Sequence, residues 1–199
     1  MSERVDKTQL LKNFDMLLDY VYHTRQTYIR RWELFAGDLF YDNLYFDMMD
    51  IFRKYAIELN EKYPKMLKEK PMLILVPCNF SFIDDDVKTE KLHEYIEEFL
   101  KMNIDLGFSV STDGKYAIDT REGKTVENPD ERFEKIFQFL KRHPNIGTHP
   151  MISASNVHVA IQNHQWFREM YKKYFPSCQY YHSFYPSYLE VRNDEWNDE

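Results

Sequence analysis

Polar residues suited to hydrogen-bonding a small molecule recur just after each run of strand-forming sequence. They are Gly37 and Asp38, then Asn79, then Ser109, Ser111 and Asp113 in Ser-Val-Ser-Thr-Asp-Gly. His149 and Met151 follow in Thr-His-Pro-Met-Ile-Ser, and Arg192, Asn193 and Asp194 come last. In parallel α/β folds ligands bind at the C-terminal ends of the strands, so these are the positions where chemistry is expected. Each residue alone also has a structural reading: Asp113-Gly114 is a common turn pair, and Asp38 or Asn79 can cap a turn. The convergence of five strand ends is what points to a ligand. A metal-dependent hydrolase is a rival reading, built on Asp84, Asp85, Asp86, Asp113, His149 and His164. It lacks any His-x-His or His-Glu-x-x-His spacing, and three aspartates before a helix read as a capped, solvated helix start. Cys78 and Cys178 stand too far apart for a metal knuckle or a disulfide framework. Cys78 reads as a small packed thiol.

These positions must be held by regular elements, and apolar periodicity supplies them. Leu10, Leu11, Phe14, Leu17, Leu18 and Val21 follow helical spacing, and Trp32 to Ala36 follows as a short strand. Met48, Met49, Phe52, Tyr55, Ala56 and Leu59 form a second helical stripe, and Met72 to Val76 is the best buried strand. The Asp84–Asp86 run offers N-caps for a helix carrying Leu92, Ile96, Phe99 and Leu100, before a strand from Leu106 to Ser111. Asn128-Pro129-Asp130-Glu131 is a capped helix start for Phe133, Ile136, Phe137 and Leu140. A strand near Gly147 to Ser153, a helix capped at Ser155 and bearing Ala160, Ile161, Phe167, Met170 and Tyr174, and a last strand over Tyr188–Arg192 complete the pattern. Strand starts recur roughly every 34 to 41 residues, the length of a βα unit with a parallel crossover.

The faces of the strands separate a barrel from a doubly wound sheet. In Leu106–Ser111 the large apolar residues share one face, and Gly107, Ser109 and Ser111 share the other. Leu189 and Val191 likewise alternate with Glu190 and Arg192. A sheet covered by helices on both faces would be apolar on both. The expectation is an α/β fold: a partial, open TIM-like (β/α) barrel of about five parallel strands, forming one continuous domain over residues 1–199.

Composition narrows the function classes. With 26 Lys and Arg against 33 Asp and Glu, the net charge of -7 argues against phosphate-backbone binding, so nucleic acid is not the expected partner. No run reaches the roughly 20 apolar residues of a membrane span, and the N-terminus has no apolar signal-peptide core, so a cytoplasmic location is expected. The aromatic cluster Tyr180, Tyr181, Phe184, Tyr185 and Tyr188, near Trp166 and Phe167, reads as core and rim packing rather than a stacking platform.

Two segments carry a family resemblance. Phe35-Ala-Gly-Asp-Leu-Phe40 resembles the strand-end Gly-Gly-Glu-Pro motif of radical S-adenosylmethionine (SAM) enzymes. Phe108-Ser-Val-Ser-Thr-Asp-Gly-Lys-Tyr116, followed by Arg121, resembles their Ser-x-Asp-Gly…Arg segment. The two occur in the family's order, and the likeness runs in outline from about residue 6 to Glu190-Val-Arg-Asn-Asp194. Ala36 and Asp38 replace the motif's first Gly and its Glu, Leu39 replaces its Pro, and the Cys-x3-Cys-x2-Cys cluster loop is absent. In the family that loop precedes the first helix, and this chain opens directly into what reads as that helix. The expectation is a core shortened at both ends, its cluster loop falling upstream of Met1 and further domains lying outside it.

The resemblance implies an open barrel, a 4Fe-4S cluster held by three thiolates, and reductive cleavage of SAM to a 5'-deoxyadenosyl radical. Carried over by position, Gly37 and Asp38 would hold the methionine amino group. Ser109, Ser111 and Asp113 would contact the ribose or carboxylate, Arg121 or Arg192 would pair with the carboxylate, and Met151 and Ile152 would flank adenine. Asn79 joins them as a strand-end candidate. The substrate, small molecule or peptide, is not identified by the sequence. Lacking the cysteine triad, these residues alone are expected not to cleave SAM. The alternative is a non-catalytic barrel remnant that binds or scaffolds.

Overall fold

A computed structural model describes residues 6–34, 38–40, 42–112, 114–116, 129–144, 146, 148–149 and 157–177. The chain resolves into two compact units. The first comprises residues 1–77 and 85–107, the second residues 78–84 and 108–199.

In the first unit, helix α1 (Lys7–Asp19) is capped by Asp6, whose carboxylate accepts from the Thr8 N–H at 3.0 Å. It runs into a π-helical turn over Tyr20–Thr24. Strand β1 (Arg31–Glu33) follows, then α2 (Leu44–Lys62), α3 (Pro64–Glu69), β2 (Met72–Cys78), α4 (Asp86–Lys101) and β3 (Ile104–Ser111), with Cys78 of β2 and β3 from Phe108 onward counted in the second unit. Helix α4 begins as its sequence dictates: the Asp85 carboxylate accepts from the Lys88 N–H at 3.0 Å, and Asp86 adds negative charge to the first turn. It ends at Asn103, whose left-handed backbone (φ 59°) turns the chain into β3.

Strands β1 and β2 are parallel, with Arg31, Trp32 and Glu33 opposite Leu73, Ile74 and Leu75. The Met72 N–H donates to the Asn103 carbonyl at 3.2 Å, where β3 begins beside β2. Burial alternates strictly along β2, and Ile104, Leu106, Phe108 and Val110 of β3 are buried while the residues between them are half-buried. The buried face packs on helices. Trp32 meets Phe52 of α2 edge-on at 5.9 Å between centroids, and Phe52 lies 6.4 Å from Phe99 of α4. Arg31, Glu33, Leu73, Leu75, Asp105 and Gly107 share the other face. There Arg31 pairs with Glu33, and Leu73 and Leu75 fold over Gly107, where a Cβ would stand 2.8 Å from Leu73 Cδ1.

In the second unit the end of β3 pairs in parallel with β4 (Thr148–His149), Val110 opposite Thr148 and Ser111 opposite His149. Helix α5 (Pro129–Arg142) and helix α6 (Ala160–Tyr174), the latter entered through a 3-10 turn at Val157–Val159, pack through aromatic rings. Phe137, fully buried, lies 6.1 Å from Trp166, 5.4 Å from Tyr171 and 5.4 Å from Tyr174.

The strand order is β1-β2-β3-β4, a mixed α/β arrangement with an open sheet among the described residues. The first three expected strands are in place; of the fourth, Gly147 to Ser153, only Thr148 and His149 are among the described residues, and the fifth, Tyr188–Arg192, lies outside them. So do the expected caps Asn128 and Ser155. Strand β1 spans three residues, shorter than the Trp32–Ala36 run, although the Leu34 N–H still donates to the Leu75 carbonyl at 2.9 Å. Among the described residues no helix is long and apolar enough to cross a membrane.

Candidate functional site

The second unit contains the segment that leaves β2. Its backbone is strained at one point: Phe80 is left-handed (φ 62°) yet 1% exposed. A bulky residue in that region costs roughly 1–3 kcal/mol and persists only when its surroundings over-determine it. Four sets of contacts do so. The Phe80 N–H donates to Cys78 Sγ at 3.2 Å, and the Ser81 N–H donates to Asn79 Oδ1 at 3.0 Å. The Ile83 N–H closes a turn on the Phe80 carbonyl at 3.0 Å. The Phe80 and Phe82 rings pack on Phe139 of α5 at 6.0 and 5.3 Å.

From the first turn of α5, Arg132 reaches the same loop. Its guanidinium donates to the carbonyls of Phe80 at 3.3 Å and Asn79 at 3.5 Å, and pairs with the Asp84 carboxylate. The arginine side chain is 14% exposed, so these acceptors replace most of its water. Nearby in the chain, Gly114 is left-handed (φ 89°), with Asn163 Oδ1 placed 2.8 Å from where a Cβ would stand. Asn163, on α6 and 5% exposed, accepts from the Tyr116 N–H at 2.8 Å, tying the segment after β3 to that helix. Lys115 pairs with Asp130 at 2.5 Å, which raises the ammonium pKa. The Thr148 and Tyr171 hydroxyls lie 3.0 Å apart, joining β4 to α6.

The sequence candidates distribute as follows. Asn79 begins the strained loop, Ser109 is half-buried on the polar side of β3, and Ser111 is the strand's last residue, opposite His149. Asp38 belongs to the first unit, where its Oδ1 accepts from the Phe40 N–H at 3.0 Å, a turn contact. Gly37, Asp113, Arg121, Met151, Ile152 and Arg192 lie outside the described residues, as does the Tyr180–Tyr188 cluster. Trp166, set apart in the sequence as part of an aromatic group, is packed edge-on against Phe133 at 4.6 Å. Arg132 and Asn163 were not singled out by sequence, because their partners, the Asn79 and Phe80 carbonyls and the Asp84 carboxylate for one and the Tyr116 N–H for the other, lie some fifty residues away in the chain.

The first unit holds a cavity of about 170 Å³, lined by Tyr22, His23, Tyr55, Glu58, Lys62 and Tyr63 among others. His23 has one ring nitrogen 2.8 Å from Asp19 and the other 2.9 Å from Glu58. Two carboxylate acceptors call for two N–H donors, which only the imidazolium has. Asp19 foremost and Glu58 next therefore raise the His23 pKa, and His23 lowers that of Glu58.

The donor set can be weighed against the groups that the resemblance implies. A 4Fe-4S site needs a closely spaced thiolate set. The chain has two cysteines, and Cys78 is 5% exposed with its sulfur accepting a backbone N–H. These residues do not fit a cluster. The aspartate run does not gather as a metal site either: Asp85 caps α4, Asp84 pairs with Arg132, and among the described residues no group of three or more His, Cys, Asp or Glu is arranged to hold a metal ion. No family model, curated protein or solved structure matches this chain.

Proposed function

We propose that this chain is the SAM-binding core of a radical SAM enzyme, an open (β/α) barrel whose polar strand ends face the ligand. The observation that carries the reading is the loop after β2: a strained backbone over-determined by its neighbours, at the end of a parallel strand where α/β folds bind ligands. The alternation along β3 supports the barrel part of the reading, since its half-buried positions are Asp105, Gly107 and Ser109 while Ile104, Leu106, Phe108 and Val110 are buried. In this reading Ser109 and Ser111 hydrogen-bond the ribose or carboxylate. The cysteines of this chain do not fit a cluster, so the chain's own contribution is binding and orientation.

A second reading, a non-catalytic binding or scaffold domain, is favoured by the packed state of Cys78. Titration of the chain with SAM by calorimetry, followed by anaerobic iron–sulfur reconstitution, separates the two. Saturable SAM binding, weakened at least tenfold (about 1.4 kcal/mol) in Ser109→Ala, supports the SAM-binding core. An absence of SAM binding leaves the scaffold reading. A stable brown protein after reconstitution would overturn the conclusion that these residues fit no cluster.

A further inference from the structure

We propose that Arg132 is a positioning residue: its guanidinium holds the loop of residues 79–84 in the conformation that binds ligand. The proposal rests on the reading of this strand end as a ligand site. A left-handed phenylalanine does not keep that conformation by local preference, and no glycine lies in the segment Asn79–Asp84 to relax it. The loop's own contacts run along the chain: Cys78 to Phe80, Asn79 to Ser81 and Phe80 to Ile83. Each would survive if the whole loop swung away together. Ring packing on Phe139 and the Arg132 guanidinium tie it to α5. Ring packing lacks direction, whereas the planar fork of Arg132 meets two successive carbonyls and a carboxylate at once. It thereby fixes the peptide planes on either side of Phe80, and with them the direction in which Asn79 leaves the strand.

Arginine suits this, because its extended fork reaches three acceptors that a compact ammonium does not span. The test compares wild type, Arg132→Lys and Arg132→Ala in the full 199-residue chain, with SAM as the probe. Hydrogen exchange of the amides of residues 80–83 and SAM affinity are both measured. Exchange at those amides should rise about tenfold in Arg132→Ala while α6 stays protected, and SAM affinity should fall by about the same factor. Millimolar guanidinium should restore binding to Arg132→Ala and leave wild type unchanged, a rescue that a general loss of packing would not give. Arg132→Lys keeps the charge and guards against a variant that does not fold; it should show the same loosening in smaller degree.

Unchanged loop exchange in both variants overturns the proposal, as does unchanged SAM affinity where wild type binds. If wild type does not bind SAM, the functional reading falls by itself. The exchange result then decides alone whether Arg132 holds the loop.

Discussion

His23 Nε2 lies 2.9 Å from Glu58 Oε2, joining the π-helical turn after α1 to the last third of α2 across thirty-five residues of sequence. The contact is charge-dependent, so its contribution has a pH window. His23 is raised above 6.5 by its two carboxylates, so its stabilisation is full below that value and is lost as pH rises through the raised one. Glu58 is lowered below 4.5 by His23, so its stabilisation is present above 4.5 and lost as pH falls through the lowered value. The pair is thus fully formed between pH 4.5 and 6.5. Thermal melts across this range should show wild type gaining over His23→Gln there and converging with it at high pH. A difference independent of pH would dismiss the ion pair as its source.

Asp105 has the opposite sense. Burial raises its pKa, because the carboxyl on β3 is half desolvated. The protonated form is preferred in the folded state, so stability falls as pH rises through the raised value. Asp105→Asn should therefore stabilise the protein near neutral pH, by no more than about 0.5 kcal/mol for a partly exposed site, and make no difference in acid. Urea unfolding at pH 7 and pH 3 reads the contrast.

Two glycines should respond differently to alanine. At Gly114 the new Cβ meets Asn163 at 2.8 Å and Phe167 at 2.9 Å on a left-handed backbone, so Gly114→Ala should cost about 1–3 kcal/mol. At Gly107 the obstacle is the tip of Leu73, a side chain that can turn aside, and the loss should be the smaller. Equal midpoints in denaturant would contradict this ordering.

Phe137 is the centre of the α5–α6 contact. Phe137→Ala removes a fully buried ring packed against Trp166, Phe167, Tyr171 and Tyr174, at an expected cost of about 3–5 kcal/mol. Trp166 fluorescence followed through denaturation reports it, and a loss under about 1 kcal/mol would mean that the two helices are held elsewhere.

Elements with a long apolar stripe were legible in the sequence. Helices α2 and α5 bury the residues their spacing selected, α4 buries Leu92, Ile96 and Phe99 but leaves Leu100 exposed, and the Asp85 cap stands where an aspartate run met a helical pattern. Elements without a stripe were not. Helix α3 is six residues long and buries Leu67 alone, and the π-helical turn departs from the 3.6-residue period that would reveal it. The site divides in the same way. Asn79, Ser109 and Ser111 were visible because strand ends can be read from the chain, whereas Arg132 binds backbone carbonyls, which carry no signature of residue type.

The alternation of buried and half-buried residues along β3 makes that strand sensitive to counting more than to composition. Deleting one residue near Asp105 would move every residue beyond it to the opposite face, sending Gly107 and Ser109 toward the helices and Leu106 and Phe108 away from them. Conservative changes of residue type in β3 can be absorbed by repacking. A change in parity cannot, so insertions and deletions belong in the loops that flank the strand, and its length is fixed by the fold.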